Sequence, residues 1–218
     1  MENKDLEHEL TNERLHFIAK ILSLYTHEIK NHMAIINESV GLMGDIIEFS
    51  GESSEIDSVQ ILELGQKTKS QIKASSQFTS FLNHFGHRMD TEHTLFGVND
   101  ALEELVTLLH KAAVQNRVIL ETEFEPTLKP VFTNPSLFQF LIFLFLYKTI
   151  TAIKPNSVIK IKTKYSVNDV SVTILPLDVA CIDNVLIDFI LSQTGYKIQW
   201  LEQSVEILIP RHISTKEA

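Results

Sequence analysis

Residues 17–47 read FIAKILSLYTHEIKNHMAIINESVGLMGDII. Apolar side chains return at Phe17, Ile18, Ile21, Leu22, Tyr25, Ile29, Met33, Ile36, Val40, Met43 and Ile47, steps of three and four that draw one stripe along a helix. Nothing interrupts it, because all six prolines (Pro126, Pro130, Pro135, Pro155, Pro176 and Pro210) lie in the second half of the chain. Gly51-Glu52-Ser53-Ser54 breaks the stripe. A second stripe then runs through Ile56, Val59, Leu62, Ile72, Phe78, Leu82 and Phe85, so the two segments predict an antiparallel helical hairpin. A hairpin gives each helix only one neighbour, which leaves apolar surface to cover. A second copy about a two-fold axis would complete a four-helix bundle, and this homodimer is the expectation. The alternative is an intrachain bundle closed by a helix over residues 99–113.

Beyond a polar, histidine-containing connection over 86–93 the texture changes. A helix over 99–113, a strand over 118–124 and a long apolar helix over 135–153 are expected, the last opened by Asn134 as N-cap and Pro135 at the first helical position. Ile159, Ile161 and Thr163 alternate with Lys160, Lys162 and Lys164, and Val170, Val172 and Ile174 alternate with Ser171 and Thr173, a β-hairpin with one wet face. A helix over 183–192, a stop at Gly195 and strand-like pieces through Trp200 and over 205–209 complete the pattern. The chain therefore reads as α+β in two domains: a helical hairpin over 1–88, and over 94–218 an α/β unit with helices on one face of a mostly antiparallel sheet.

The 218 residues carry 19 basic and 28 acidic side chains, a net charge of -9, which disfavours a nucleic-acid backbone or an anionic membrane surface as partner and favours a protein. A single cysteine, Cys181, rules out an internal disulfide framework, and Met1-Glu2-Asn3-Lys4-Asp5-Leu6 has no signal-peptide core, so a cytoplasmic protein is expected. The longest apolar run, FLIFLFLY over 140–147, is well short of the ~20 residues of a membrane-spanning helix and reads as a buried helix.

Within the first helix, His27-Glu28-Ile29-Lys30-Asn31 resembles the phosphoacceptor box of sensor histidine kinases, with His32 where that box usually has proline. Downstream the resemblance continues in order and texture through Val98-Asn99, Asn116-Arg117-Val118, Asn134-Pro135-Ser136-Leu137 and Thr151-Ala152-Ile153, and so spans nearly the whole chain. It implies a dimerisation and phosphotransfer hairpin with His27 as phosphoacceptor, followed by an ATPase-type α/β sandwich. The departures are as informative. Leu144 and Lys148 stand where the family carries asparagines for magnesium and phosphate, and neither side chain can give Mg²⁺ an oxygen. Leu175, Leu177 and Val179 stand where an aspartate and glycines are expected, and no glycine occurs between Gly97 and Gly195, where a phosphate-cradling loop would need close backbone approach. A degenerate nucleotide site is therefore expected, as in the kinase-derived histidine phosphotransferases of phosphorelays.

The chemistry follows from the residue types. A neutral imidazole nitrogen is a competent nucleophile, and a carboxylate accepting a hydrogen bond from the other ring N–H fixes the tautomer and steadies the positive charge that forms. Glu28 is the candidate for that role, and Asn31, one turn on, shares the His27 face and can hold a phosphoryl oxygen or a water. Lys30 and Arg14 are candidates for a partner's acidic pocket. The expected partners are response-regulator receiver domains, which would bring the Mg²⁺ of their own aspartate pocket, so this chain itself needs no cofactor. Two alternatives stand beside the phosphotransfer reading: a non-catalytic pseudokinase scaffold that binds receivers or a kinase, and an active histidine kinase with an unusual nucleotide site. A zinc-hydrolase reading of His27-Glu28 fails because Asn31 occupies the place of the second histidine. His84, His87 and His93 form a minor metal candidate without cysteine or clustered carboxylates.

Overall fold

The computed structural model describes residues 3–50, 57–166, 168–177 and 184–211. The expected break at 51–54, together with Ile56, Val179, Cys181 and Asp183, lies outside them. Helix α1 (Asn3–Ser50) runs 48 residues, roughly 72 Å at 1.5 Å per residue. Helix α2 (Ser58–Met89) returns along it; it is opened by Asp57, whose carboxylate accepts the Gln60 N–H at 3.0 Å, and closed by His87 and Arg88 at the negative end of the helix dipole.

The second unit follows as β1 (Thr94–Phe96), α3 (Val98–Gln115), β2 (Ile119–Glu123), β3 (Val131–Thr133), α4 (Pro135–Ala152), β4 (Val158–Tyr165), β5 (Asp169–Leu175), α5 (Asn184–Thr194), β6 (Lys197–Leu201) and β7 (Ser204–Pro210). Its main sheet has the order β2-β4-β5-β7-β6, with β2 and β4 parallel and every other pairing antiparallel. The fold is α+β, as the alternation predicts. Along β4, β5 and β7 the residues Ile159, Ile161, Val170, Val172, Ile174, Val205, Ile207 and Ile209 are fully buried beneath the helices. The opposite face is wet: Lys160 and Lys162 pair with Glu121 and Glu123 of β2, and Lys164 with Glu206 of β7. A hydrogen bond from Ser171, and then the Lys164 ammonium, hold the Glu206 carboxyl below the usual carboxylate range.

Helix α4 begins as its sequence dictates, with the Asn134 side chain accepting the Leu137 N–H at 2.9 Å and Pro135 inside the first turn. It is apolar on all sides because it is covered on all sides: Phe138, Phe140, Leu141, Ile142, Phe145 and Leu146 are fully buried. By length and composition it could cross a membrane, yet most of it lies inside this chain's core. The small ladder between β1 and β3 has no counterpart in the sequence reading, since three residues per strand are too few for an alternation to register.

The apolar stripe of α1 divides into two halves with different surroundings. Toward the N-terminus, Phe17 and Ile21 of the stripe are buried together with Leu10 and Leu24 beside it, while Leu22 stays exposed. The Phe17 ring lies 5.3 Å from Phe85 of α2 and 4.4 Å from Phe143 of α4, and α3 packs on both hairpin helices. The intrachain cover weighed as an alternative is thus present at this end. Toward the hairpin tip the stripe is bare: Met33, Val40 and Ile47 of α1, and Val59, Leu62 and Ile72 of α2, are about half exposed or more.

Candidate functional site

The site sits near the middle of α1, just beyond the covered half of the stripe. Its helical periodicity puts His27 and Asn31 on one face, one turn apart. His27 is exposed, and the Asn31 Nδ2 lies 3.4 Å from His27 Nδ1. The same Nδ2 lies 3.4 Å from Glu28 Oε2, so one amide spans the imidazole and the carboxylate. His27 and Asn31 are therefore brought together as their spacing predicts.

Glu28 turns toward the second domain. Its Oε2 lies 3.8 Å from the Lys111 ammonium on α3, and its Oε1 lies 3.8 Å from His32 Nε2. Among the described residues no hydrogen bond or ion pair joins it to the His27 ring. His32, five residues beyond His27, points to α2, where its Nδ1 lies 3.0 Å from Ser75 Oγ. The Ser75 hydroxyl donates to the Gln71 carbonyl at 2.8 Å, which leaves the oxygen as acceptor and His32 Nδ1 as donor. A cleft of about 290 Å³ opens here between the hairpin and α3, lined by Glu28, His32, Phe78, Thr107, His110 and Lys111. Lys111 and Ser75 are absent from the sequence reading because no local pattern links positions that far apart.

Lys30 is exposed and free of ion pairs among the described residues. Arg14 lies elsewhere, where its guanidinium donates to Ser136 Oγ at the start of α4 and ties the hairpin to the second domain. Its Nε is buried without a partner, and burial lowers its pKa from the ordinary arginine value. Among the described residues no three histidine, cysteine, aspartate or glutamate side chains gather as a metal group. His84 instead bonds Glu104 at 3.0 Å, and His93 stands 6.2 Å from the Phe132 ring.

On α4, Leu144 is 8% exposed within the apolar core, and Lys148 follows one turn later. Beyond β5, Leu177 is buried and donates its N–H to the Gln203 carbonyl at 3.0 Å, which fastens this segment to the β6–β7 turn. Neither Leu144 nor Leu177 has a side-chain oxygen to offer a cation.

No family model matches the chain, and no curated protein is similar to it. Solved structures similar to it include those of histidine kinases. The catalytic domain of histidine kinase ThkA is 18% identical with a TM-score of 0.48, over 56% of this chain and 97% of that one. Acinetobacter baumannii histidine kinase AdeS is 12% identical with a TM-score of 0.47, over 80% of this chain and 95% of that one. Histidine kinase ThkA in complex with response regulator protein TrrA is 16% identical with a TM-score of 0.46, over 96% of this chain and 67% of that one.

Proposed function

We propose that this chain is a histidine phosphotransfer protein that passes a phosphoryl group between receiver-domain aspartates of response regulators through His27, without binding ATP. The observation that carries the reading is an exposed imidazole with an amide one turn away, on a hairpin joined to an ATPase-like domain that lacks the expected ligands. In the transfer, a lone pair of a neutral His27 ring nitrogen attacks phosphorus. The P–O bond of the aspartyl phosphate breaks, and its electron pair leaves with the aspartate carboxylate. Nothing is oxidised or reduced. The ring keeps its other proton and gains positive charge, which a carboxylate nearby can balance. Mg²⁺ in the receiver's own aspartate pocket would supply the neutralisation of the phosphoryl oxygens, so this chain contributes the nucleophile and its positioning. Incubation with phosphorylated receiver domains tests the reading directly. The expected product is a label on this chain that is lost in acid and kept in alkali, as a phosphoramidate behaves; a chain that binds the receiver yet takes no label would be the scaffold instead.

The nucleotide part of the reading rests on Leu144, Lys148 and the glycine-free stretch between Gly97 and Gly195. Calorimetric titration with Mg-ATP should show no saturable heat, whereas tight binding or self-phosphorylation from ATP would mark an active kinase.

The homodimer belongs to the same reading. Val40 and Ile47 of α1 and Val59 and Leu62 of α2 present bare apolar surface at the hairpin tip, which a second copy about a two-fold axis would cover. Light scattering should give twice the chain mass. Val40→Glu with Ile47→Glu should give a folded monomer, because both side chains are exposed in the single chain. A dimer unchanged by the pair of charges would place the contact elsewhere.

A further inference from the structure

The cleft between the hairpin and α3 holds a feature that the phosphotransfer reading does not use. A cation from the second domain reaches the carboxylate adjacent to the phosphoacceptor. Resting on that reading, we propose that Lys111 is a positioning residue that pins Glu28 beside Asn31, and so holds His27 in the tautomer whose proton sits on Nε2.

Hydrogen-bond capacity fixes how the Asn31 amide can lie. An asparagine amide presents two donors on nitrogen and two lone pairs on oxygen, and its orientation follows from its neighbours. Here the same end of the Asn31 amide faces Glu28 Oε2 and His27 Nδ1, each at 3.4 Å. Turning the amide over would set its oxygen against the carboxylate, acceptor against acceptor. Glu28 therefore selects the NH₂ end. That end can only donate to His27 Nδ1, so Nδ1 must be the bare nitrogen and the ring proton must sit on Nε2. In this tautomer Nε2, which no described residue contacts, has no in-plane lone pair with which to attack phosphorus. Nδ1 has one, but Asn31 covers it. The resting arrangement is thus poorly disposed for attack from either nitrogen.

The carboxylate that selects the amide is itself held from the second domain. Lys111 Nζ lies 3.8 Å from the Glu28 oxygen that faces Asn31; His32 Nε2 lies 3.8 Å from the other, but a neutral His32 that donates from Nδ1 to Ser75 has no proton there to offer it. His32 is fixed in turn by Ser75 on α2. Lys111, by contrast, belongs to α3, and a shift of α3 relative to α1 would remove it alone. Glu28 would then be free to leave Asn31, the amide could turn its oxygen to His27, and Nδ1–H with a bare Nε2 would become the favoured form. The second domain would in this way set the reactivity of the hairpin through one ion pair.

Ring ¹⁵N spectra of the full chain labelled at histidine test this, on the alkaline side of neutrality, with the His27 signals identified by their loss in His27→Gln. The wild type should show the Nε2–H tautomer in excess. Lys111→Met should shift the tautomer ratio toward Nδ1–H by roughly two- to fivefold, the scale of a partly exposed ion pair. Lys111→Arg should keep the wild-type ratio, and Glu28→Gln should shift it at least as far as Lys111→Met, since a glutamine amide can donate to a turned Asn31. Acceptance of phosphate from a receiver should rise with the Nδ1–H fraction in Lys111→Met. The inference is overturned if the wild type already carries its proton on Nδ1, or if Lys111→Met and Glu28→Gln leave the ratio unmoved. The spectra read the tautomer whether or not phosphate is ever accepted. A shifted ratio in a protein that takes no label supports the positioning role and sinks the phosphotransfer reading; an unmoved ratio in a protein that does take label sinks the positioning role alone.

Discussion

His27→Gln is expected to abolish acceptance of phosphate from a receiver domain while leaving the helix, the dimer and receiver binding intact. Glutamine is a good helix former, and position 27 is exposed, so the change removes a ring nitrogen without removing packing. His32 cannot replace it, being committed to Ser75 and lying beside Glu28 on the partly buried side of the helix, and His110 stands on α3 across the cleft, away from Asn31. Glu28→Ala is the informative companion. If the carboxylate, once released, takes the Nδ1–H of His27 and balances the charge on the ring, its loss should slow transfer by ~10²–10⁴-fold, as lost acid–base assistance does. Removing Glu28 also removes the restraint on Asn31, which is worth only a few-fold in the opposite direction, so the net effect is a large loss. Asn31→Ala should alter the lifetime of the phosphohistidine more than its formation, because an amide one turn away is placed to hold a water or a phosphoryl oxygen. Transfer rates from a labelled receiver, measured with each variant, separate the three roles. A His27→Gln protein that takes label as well as the wild type would make the histidine an ordinary surface residue.

What the sequence made legible was periodic or local. The stripe from Phe17 to Ile47, the Asn134-Pro135 helix start and the alternation along β4 and β5 are each written in spacings of two to four residues, and the elements follow them closely. The His27–Asn31 pairing is likewise an i, i+4 relation and could be read from spacing alone. Relations across the chain were not readable. The Phe17 stripe is the same whether it is covered by a second copy or by Phe140 and Phe143, and only the fold shows that the two ends of α1 differ. Glu28 illustrates the limit most sharply. Adjacent to His27 in sequence, it points about 100° around the helix and meets Lys111, 83 residues away, instead of the imidazole. Arg14 is similar: in the sequence it is a candidate for a partner's acidic pocket, and its bond to Ser136 exists only because α4 begins where α1 passes.

Arg88→Ala should be among the most destabilising single changes in the chain, by about 3–5 kcal/mol. The reason is Glu104, a carboxylate on α3 that is only 4% exposed amid the buried leucines of that helix. Arg88, near the end of α2, reaches its Oε2, and both side chains are largely withdrawn from water, with 16% and 5% of their surfaces exposed. Deleting the arginine strands a buried charge, and the cost is the desolvation of that carboxylate more than the attraction lost. His84 bonds the other oxygen at 3.0 Å, but its side chain is 55% exposed, so His84→Ala should cost only about 1 kcal/mol or less. The contrast comes from burial, because both partners touch the same carboxylate. For a chain of this length a loss of 3–5 kcal/mol corresponds to a fall of roughly 6–20 °C in Tm. Replacing both members, Arg88→Met with Glu104→Leu, should restore most of that loss, since a buried ion pair exchanged for apolar side chains of similar volume is often near neutral. Because the pair joins α2 to α3, hydrogen exchange in Arg88→Ala should accelerate first where the hairpin meets the second domain, and the loosened α3 should carry Lys111 away from Glu28. Thermal melts of the single and double variants decide the matter: a double variant no more stable than Arg88→Ala would mean that the stability lies in the ion pair itself and not in the avoidance of a stranded charge.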